Sequence, residues 1–246
     1  MTRKPEAMRN VKVLPDTLAL YRAAADELIG CARKSIADHG RFCVALSGGS
    51  TPRGVYSLLA ERPDDLPWNK MFLFFGDERH VPPDHPDSNY RMAQEALLSK
   101  VPVPAANVFR IRAELDAAQA AQEYEDQLRS FFALKPGEFP RFDLIMLGLG
   151  DDGHTASLFP GSAALNETSR LVVANWVEKF QQYRITLTYP VINHAAEVMF
   201  LVSGAGKAQI LKNVLSGQGE RYPAQRVRSE NGVLLWLVDQ DAARLL

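Results

Sequence analysis

The chain has 246 residues, 46% hydrophobic and 23% charged, and a formal net charge of −1 from 28 basic and 29 acidic side chains. This makeup predicts one α/β domain over residues 1–246 with a sizeable core, and the near balance of charge excludes a bulk electrostatic pull toward nucleic acid or an anionic membrane. The opening MTRKPEAMRN is polar, no apolar run is long enough for a bilayer, and two cysteines make no disulfide framework, so a cytoplasmic protein with reduced thiols is expected.

Val11–Leu14 reads as a first strand, and Leu18, Ala25, Leu28, Ile29, Ala32 and Ile36 then recur at helical spacing until Gly40 supplies a stop. Phe42–Leu46 is the next strand. Ser47-Gly48-Gly49-Ser50 leads into a helix at Thr51-Pro52 that runs to about Glu61, threonine being a capping residue and proline suited to the first helical position. Met71–Phe75 is short and wholly apolar, as a buried strand must be, and ends at Gly76-Asp77-Glu78-Arg79. Ser88 caps a helix through Leu98, and Asp116 through Phe132 forms a second, longer one. Phe142–Leu147 is another buried strand, opening into Gly148-Leu149-Gly150-Asp151-Asp152-Gly153-His154 and a short turn of helix stopped by Pro160 and Gly161. Strands at Arg184–Thr188, Glu197–Val202 and Val233–Val238, with a helix from about Ala205 to Leu215, complete the chain. The alternation predicts a mostly parallel sheet flanked by helices on both faces.

In open parallel sheets ligands bind beyond the carboxyl ends of the strands, and four such ends here carry SGGST, GDERH, GLGDDGH and SGAGK. Ser47, Gly48, Gly49, Ser50 and Thr51 offer unhindered amides and hydroxyls at a helix N-terminus, a place for phosphate, although the same segment suits a plain tight turn. Lys207 lies in the first turn of a helix, against the dipole, and so calls for an anionic partner. Arg184 adds a second cation or is an exposed strand-edge residue. His154 is the candidate general base, since imidazoles titrate at ~6.5 in ordinary surroundings, with a packed histidine as the plainer reading. Asp152 orients that ring, binds substrate hydroxyls or makes an Asx turn. Asp77 and Arg79 end a buried strand, where an arginine pairs with a carboxylate or faces a developing oxyanion.

Other chemistries fit less well. Gly148 to Gly153 matches G-x-G-x-x-G, but Asp151 and Asp152 put negative charge where a pyrophosphate would sit, no long helix follows before Pro160, and no ribose-binding acid lies ~20 residues on. His80, Asp84, His85 and Asp87 resemble metal ligands, but Pro82, Pro83 and Pro86 exclude helical i,i+4 geometry. No G-x-S-x-G elbow is present. His39 and His194 read as structural.

ALSGGSTPRGVY at 45–56, FFGDERHVPPDHPDSNYRMAQEALL at 74–98, FDLIMLGLGDDGHTASLFPG at 142–161 and RITLTYPVINHA at 184–195 resemble, in order, the blocks of the 6-phosphogluconolactonase family. The resemblance implies a modified Rossmann-like fold akin to the glucosamine-6-phosphate deaminase and ribose-5-phosphate isomerase group. It also implies hydrolysis of 6-phospho-D-glucono-1,5-lactone to 6-phosphogluconate, the second step of the oxidative pentose phosphate pathway, with neither cofactor nor metal. On this sequence His154 is then the base, Gly48, Gly49 and Ser50 with Arg184 and Lys207 hold the phosphate, and Asp77, Arg79 and Asp152 line the sugar. The rival deaminases resemble Asp-Glu-Tyr after the third strand and Gly-His-Ile-Ala-Phe-Asn-Glu after the fourth. This chain has Asp77-Glu78-Arg79 and, after His154, Phe159 in place of the glutamate, which favours hydrolysis of a neutral lactone. A phosphosugar sensor would use the same loops without turnover, but no helix-turn-helix extension or basic face accompanies them.

Overall fold

The computed structural model describes residues 9–217 and 222–246; residues 1–8, most of the polar opening segment read above, lie outside them. The described residues form ten strands in chain order: β1 (Arg9–Leu14), β2 (Phe42–Leu46), β3 (Met71–Phe75), β4 (Asp77–Arg79), β5 (Val108–Phe109), β6 (Leu144–Gly148), β7 (Val172–Val177), β8 (Gln182–Leu187), β9 (Glu197–Val202) and β10 (Val233–Asp239). The α-helices are α1 (Thr17–His39), α2 (Ser50–Ala60), α3 (Asn89–Ala93), α4 (Ala117–Phe131), α5 (Tyr189–His194), α6 (Ala208–Leu215) and α7 (Gln240–Ala243). Among the described residues no helix is long and apolar enough to cross a membrane.

Seven strands form one sheet in the order β1-β10-β9-β6-β2-β3-β5, and every pair in it is parallel. Strands of such a sheet are covered on both faces and need no polar alternation, which is why Phe42–Leu46 is buried at every position. From β2 the chain steps outward to β3 and β5, then returns to β6 and steps the other way to β9 and β10. Right-handed crossovers in opposite directions set helices on opposite faces; α1 and α2, on crossovers of one direction, pack together. The reversal between β2 and β6 is a topological switch point, where a crevice opens beyond the strand ends.

Helix limits follow the local signals. Asp16 accepts from Ala19 N at 2.7 Å to open α1, and Gly40 closes it at φ 84°. Ser88 and Asp116 cap α3 and α4. Beyond α3 the chain widens into a π-helical turn over Gln94–Leu98, Ser99 N reaching Gln94 O at 3.1 Å.

Three expectations are corrected. The strand holding Arg184 is not in the parallel sheet: β8 lies between β4 and β7 in a separate antiparallel sheet. Helix α2 starts at Ser50 with Gly49 at φ 105° as its N-cap and no side-chain cap, Thr51 turning its hydroxyl instead to Ser203 Oγ at 2.9 Å. No turn of helix follows His154; Ala156 at φ 47° folds Thr155–Leu158 into a tight turn bridged at its ends. Buried Glu125 on α4 ties the small sheet down, accepting from Arg170 Nε at 2.7 Å and from the amides of Leu171 and Val172.

Candidate active site

The loops after β2, β3, β6 and β9 meet at the switch point around a cleft of about 260 Å³. Ser47, Gly48, Gly49, Ser50, Thr51, Asp77, Arg79, His154 and Lys207 all line it. A larger depression of about 750 Å³ beside α4 is lined by Phe109, Phe131 and acidic, amide and hydroxyl side chains, whereas the smaller cleft brings together a histidine, an arginine and a lysine.

Each wall has a local cause. The base of the SGGST loop is clamped by Tyr56, whose hydroxyl accepts from Ser47 N and donates to Ser47 O, both at 2.9 Å. Gly48 is needed for close approach, since a methyl group there would lie 1.9 Å from Asn89 Oδ1. The Thr51–Ser203 bond joins the loops after β2 and β9 across the end of β6. The start of α2 therefore presents its first amides, and the positive end of its dipole, without a side chain of its own to satisfy them.

Glu78 builds the opposite wall. Its buried carboxylate accepts from the amides of Arg79, Asn89 and Tyr90 and from Ser88 Oγ. Burial pushes its pKa up while the amide bonds pull the other way. This anchors the start of α3 and so Asn89, whose Nδ2 donates to Asp77 O at 2.9 Å and Asp77 Oδ1 at 3.3 Å. Asp77 Oδ2 accepts from Ser157 Oγ at 2.6 Å. Arg79 donates through Nη1 to Asp87 O at 2.7 Å. Sequence reasoning passed over Asn89, although a buried polar residue directly after a capping serine was its signal.

Asp152 and His154 form a dyad: Oδ1 of the carboxylate meets the ring Nδ1 at 2.5 Å and also accepts from His154 N at 3.2 Å. Asp152 Oδ2 is held by Lys179 at 3.4 Å. Burial raises the Asp152 pKa, but the bonds from His154 and the charge of Lys179 outweigh it and hold the carboxyl below its ordinary value. With Nδ1 engaged, the tautomer that donates to Asp152 leaves Nε2 as the acceptor. The same oxygen thus closes an Asx-type turn and bonds the ring, whereas Asp152 itself is not part of the cleft lining expected of it.

The two remaining cations differ. Lys207 is paired with Asp151, which lowers the carboxyl pKa; the Asp151 side chain is 79% exposed, so solvent screens the pair and its opening costs little. Arg184 departs from expectation. It does not line the cleft but pairs across β4 and β8 with Arg79 and packs 5.1 Å from the Phe180 ring. Its Nε and Nη1 are buried without a hydrogen-bond partner among the described residues, and desolvation, then the charge of Arg79, lower its pKa.

The metal-like cluster is not assembled: among the described residues only Glu27, Cys31 and Glu197 group three such side chains, with Glu197 at the far, amino end of β9. His39 bonds Asp143 at 2.9 Å and His80 the carbonyl of Leu115 at 2.8 Å.

The model of the glucosamine-6-phosphate isomerases/6-phosphogluconolactonase family matches residues 15–236. The chain belongs to this family. Among relatives of this lactonase and isomerase family, a 6-phosphogluconolactonase of Nostoc sp. is 44% identical over 237 residues, covering 95% of this chain and 97% of its own. One of Synechocystis sp. is 47% identical over 216 residues, covering 87% and 88%. The solved 6-phosphogluconolactonase of Trypanosoma brucei superposes with a TM-score of 0.87 at 30% identity, covering 98% of this chain and all (100%) of that one. A monomeric glucosamine-6-phosphate deaminase at 21% identity and a TM-score of 0.79 shares the family fold.

Proposed function

We propose that the chain hydrolyses 6-phospho-D-glucono-1,5-lactone to 6-phosphogluconate. The observation that carries the reading is that His154, held from behind by Asp152, and the uncapped start of α2 face one cleft. The anion site is at Gly48 to Thr51: the phosphate accepts from the first amides of α2, where the dipole favours negative charge, and displaces Asp151 from Lys207. Anchoring one end of the sugar fixes the position of the other.

At that other end His154 Nε2 takes a proton from a water, whose oxygen forms a bond to C1. Arg79 stabilises the resulting oxyanion, with Asp77 positioned for sugar hydroxyls. As the tetrahedral intermediate collapses the C1–ring oxygen bond breaks, and the imidazolium returns its proton to the departing oxygen. Asp152 stabilises the imidazolium between these steps. Arg184, half-buried beside Arg79 with Nε and Nη1 making no hydrogen bond among the described residues, adds to the positive potential at this wall and attracts the anionic substrate.

The deaminase alternative is disfavoured at one position. Where the deaminase pattern sets a glutamate, this chain stacks the Phe159 ring on His154 at 4.0 Å, so that position offers no carboxylate for ring opening.

The test is a time course of fresh lactone with purified protein, corrected for spontaneous opening and run beside the unphosphorylated lactone. The phosphorylated compound is expected to be favoured in kcat/KM by about 10–100-fold, the worth of charge-assisted hydrogen bonds to the phosphate. Equal rates on the two would contradict the anion site, and no acceleration of either would contradict the reaction.

A further inference from the structure

The imidazole of His154 is held from three directions, and only one is a hydrogen bond. Asp152 fixes Nδ1 at 2.5 Å. That bond leaves the ring able to swing about its own axis, and the terminal torsion of a histidine has broad wells. Gly150 supplies the second constraint: a methyl group there would come within 2.0 Å of both Cε1 and Nδ1, so the ring lies directly against the glycine backbone. The third is Phe159, with ring centroid 4.0 Å from the imidazole and planes 23° apart. Phe159 is itself 7% exposed and is backed edge-on by Phe180 at 5.8 Å, at the tip of the β7–β8 hairpin. The tip also supplies Lys179 to the outer oxygen of Asp152.

We infer that Phe159 is a positioning residue for His154. Phe159 stands behind His154 and is not itself part of the cleft lining, and on the reading above it does not touch the substrate. Its buried face sets the plane of the imidazole, so that Nδ1 stays on Asp152 while Nε2 stays aimed at the water. Misplacing a catalytic group on this scale costs up to about 10²-fold, and a constellation is held to its productive geometry by packing against the ring that carries it. A flat partner does this and a branched aliphatic one of similar bulk does not.

The inference rests on the lactonase reading, and its test separates the two. kcat and KM for the phosphorylated lactone are measured for Phe159→Ala, Phe159→Leu and Phe159→Tyr, together with thermal unfolding and the imidazole nitrogen and proton resonances of His154. Phe159→Leu, which refills the space, is expected to stay about 10–100-fold down in kcat with KM unchanged, to unfold like the parent and to lose the hydrogen-bonded Nδ1 proton signal. Phe159→Tyr is expected to restore kcat and the signal. If Phe159→Leu turned over as fast as the parent and kept the signal, the ring would be filler and the inference would be overturned. Should Phe159→Ala fail to fold, the leucine and tyrosine variants decide. Loss of activity in His154→Ala with none in Phe159→Leu sinks this inference alone, whereas full activity in His154→Ala sinks the reading beneath it.

Discussion

His154→Ala is expected to lower turnover of the phosphorylated lactone by about 10²–10⁴-fold, the usual worth of a positioned general acid–base. In the proposed mechanism the imidazole carries the proton in both halves of the reaction, from the water and to the departing ring oxygen. The substitution leaves the loop intact. Its bonds do not involve the imidazole: Gly150 N donates to the backbone carbonyl of residue 154 at 2.9 Å and Gly153 N to that of Gly150 at 3.0 Å, and Asp152 is also held by Lys179. KM should change little, because the proposed phosphate contacts lie on α2 and Lys207. The check is steady-state kinetics with the spontaneous rate subtracted, beside a thermal unfolding curve. A folded His154→Ala protein at the parent rate would remove the histidine from the mechanism.

Gly150→Ala should approach the same loss by a different route, with kcat falling about 10²-fold. Gly150 is not among the glycines with positive φ, so alanine carries no backbone strain there and restricts the unfolded chain, a change worth about 0.4–1 kcal/mol in favour of folding where it fits. The whole penalty therefore falls on the imidazole, whose Cε1 and Nδ1 would lie 2.0 Å from the new methyl group. The ring must swing away, leaving Asp152 behind. Kinetics and the melting temperature measured together check this: lost kcat in a protein no less stable than the parent is the expected pattern. Unchanged kcat would mean that the ring does not rest against Gly150 during turnover.

Most of the cleft lining was legible because it sits where parallel strands end. SGGST, GDERH, GLGDDGH and SGAGK each follow a run of apolar residues, and parallel packing alone brings them together. The dyad was half visible, Asp152 being two residues from His154. The small antiparallel sheet was not. Val172–Val177 carries Asn175 buried and Trp176 exposed, so neither a continuous apolar run nor a clean alternation marks it. With β7 unseen, Arg184 was assigned to the parallel sheet and to the phosphate, whereas tertiary pairing sets it beside Arg79. Lys207 was read correctly as a cation needing an anion, but its partner in the chain, Asp151, is 56 residues away, a separation that no local pattern spans. Gly150 read as part of a dinucleotide-like motif, when its lack of a side chain serves the His154 ring.

The most direct measurement is a crystal structure of the protein with 6-phosphogluconate bound. The account predicts the phosphate on the amides at the start of α2 and on Lys207, with Asp151 displaced, and the C1 carboxylate within hydrogen-bonding reach of His154 Nε2 and Arg79. Phosphate lodged at Arg79 and Arg184 with C1 turned away from the imidazole would contradict it.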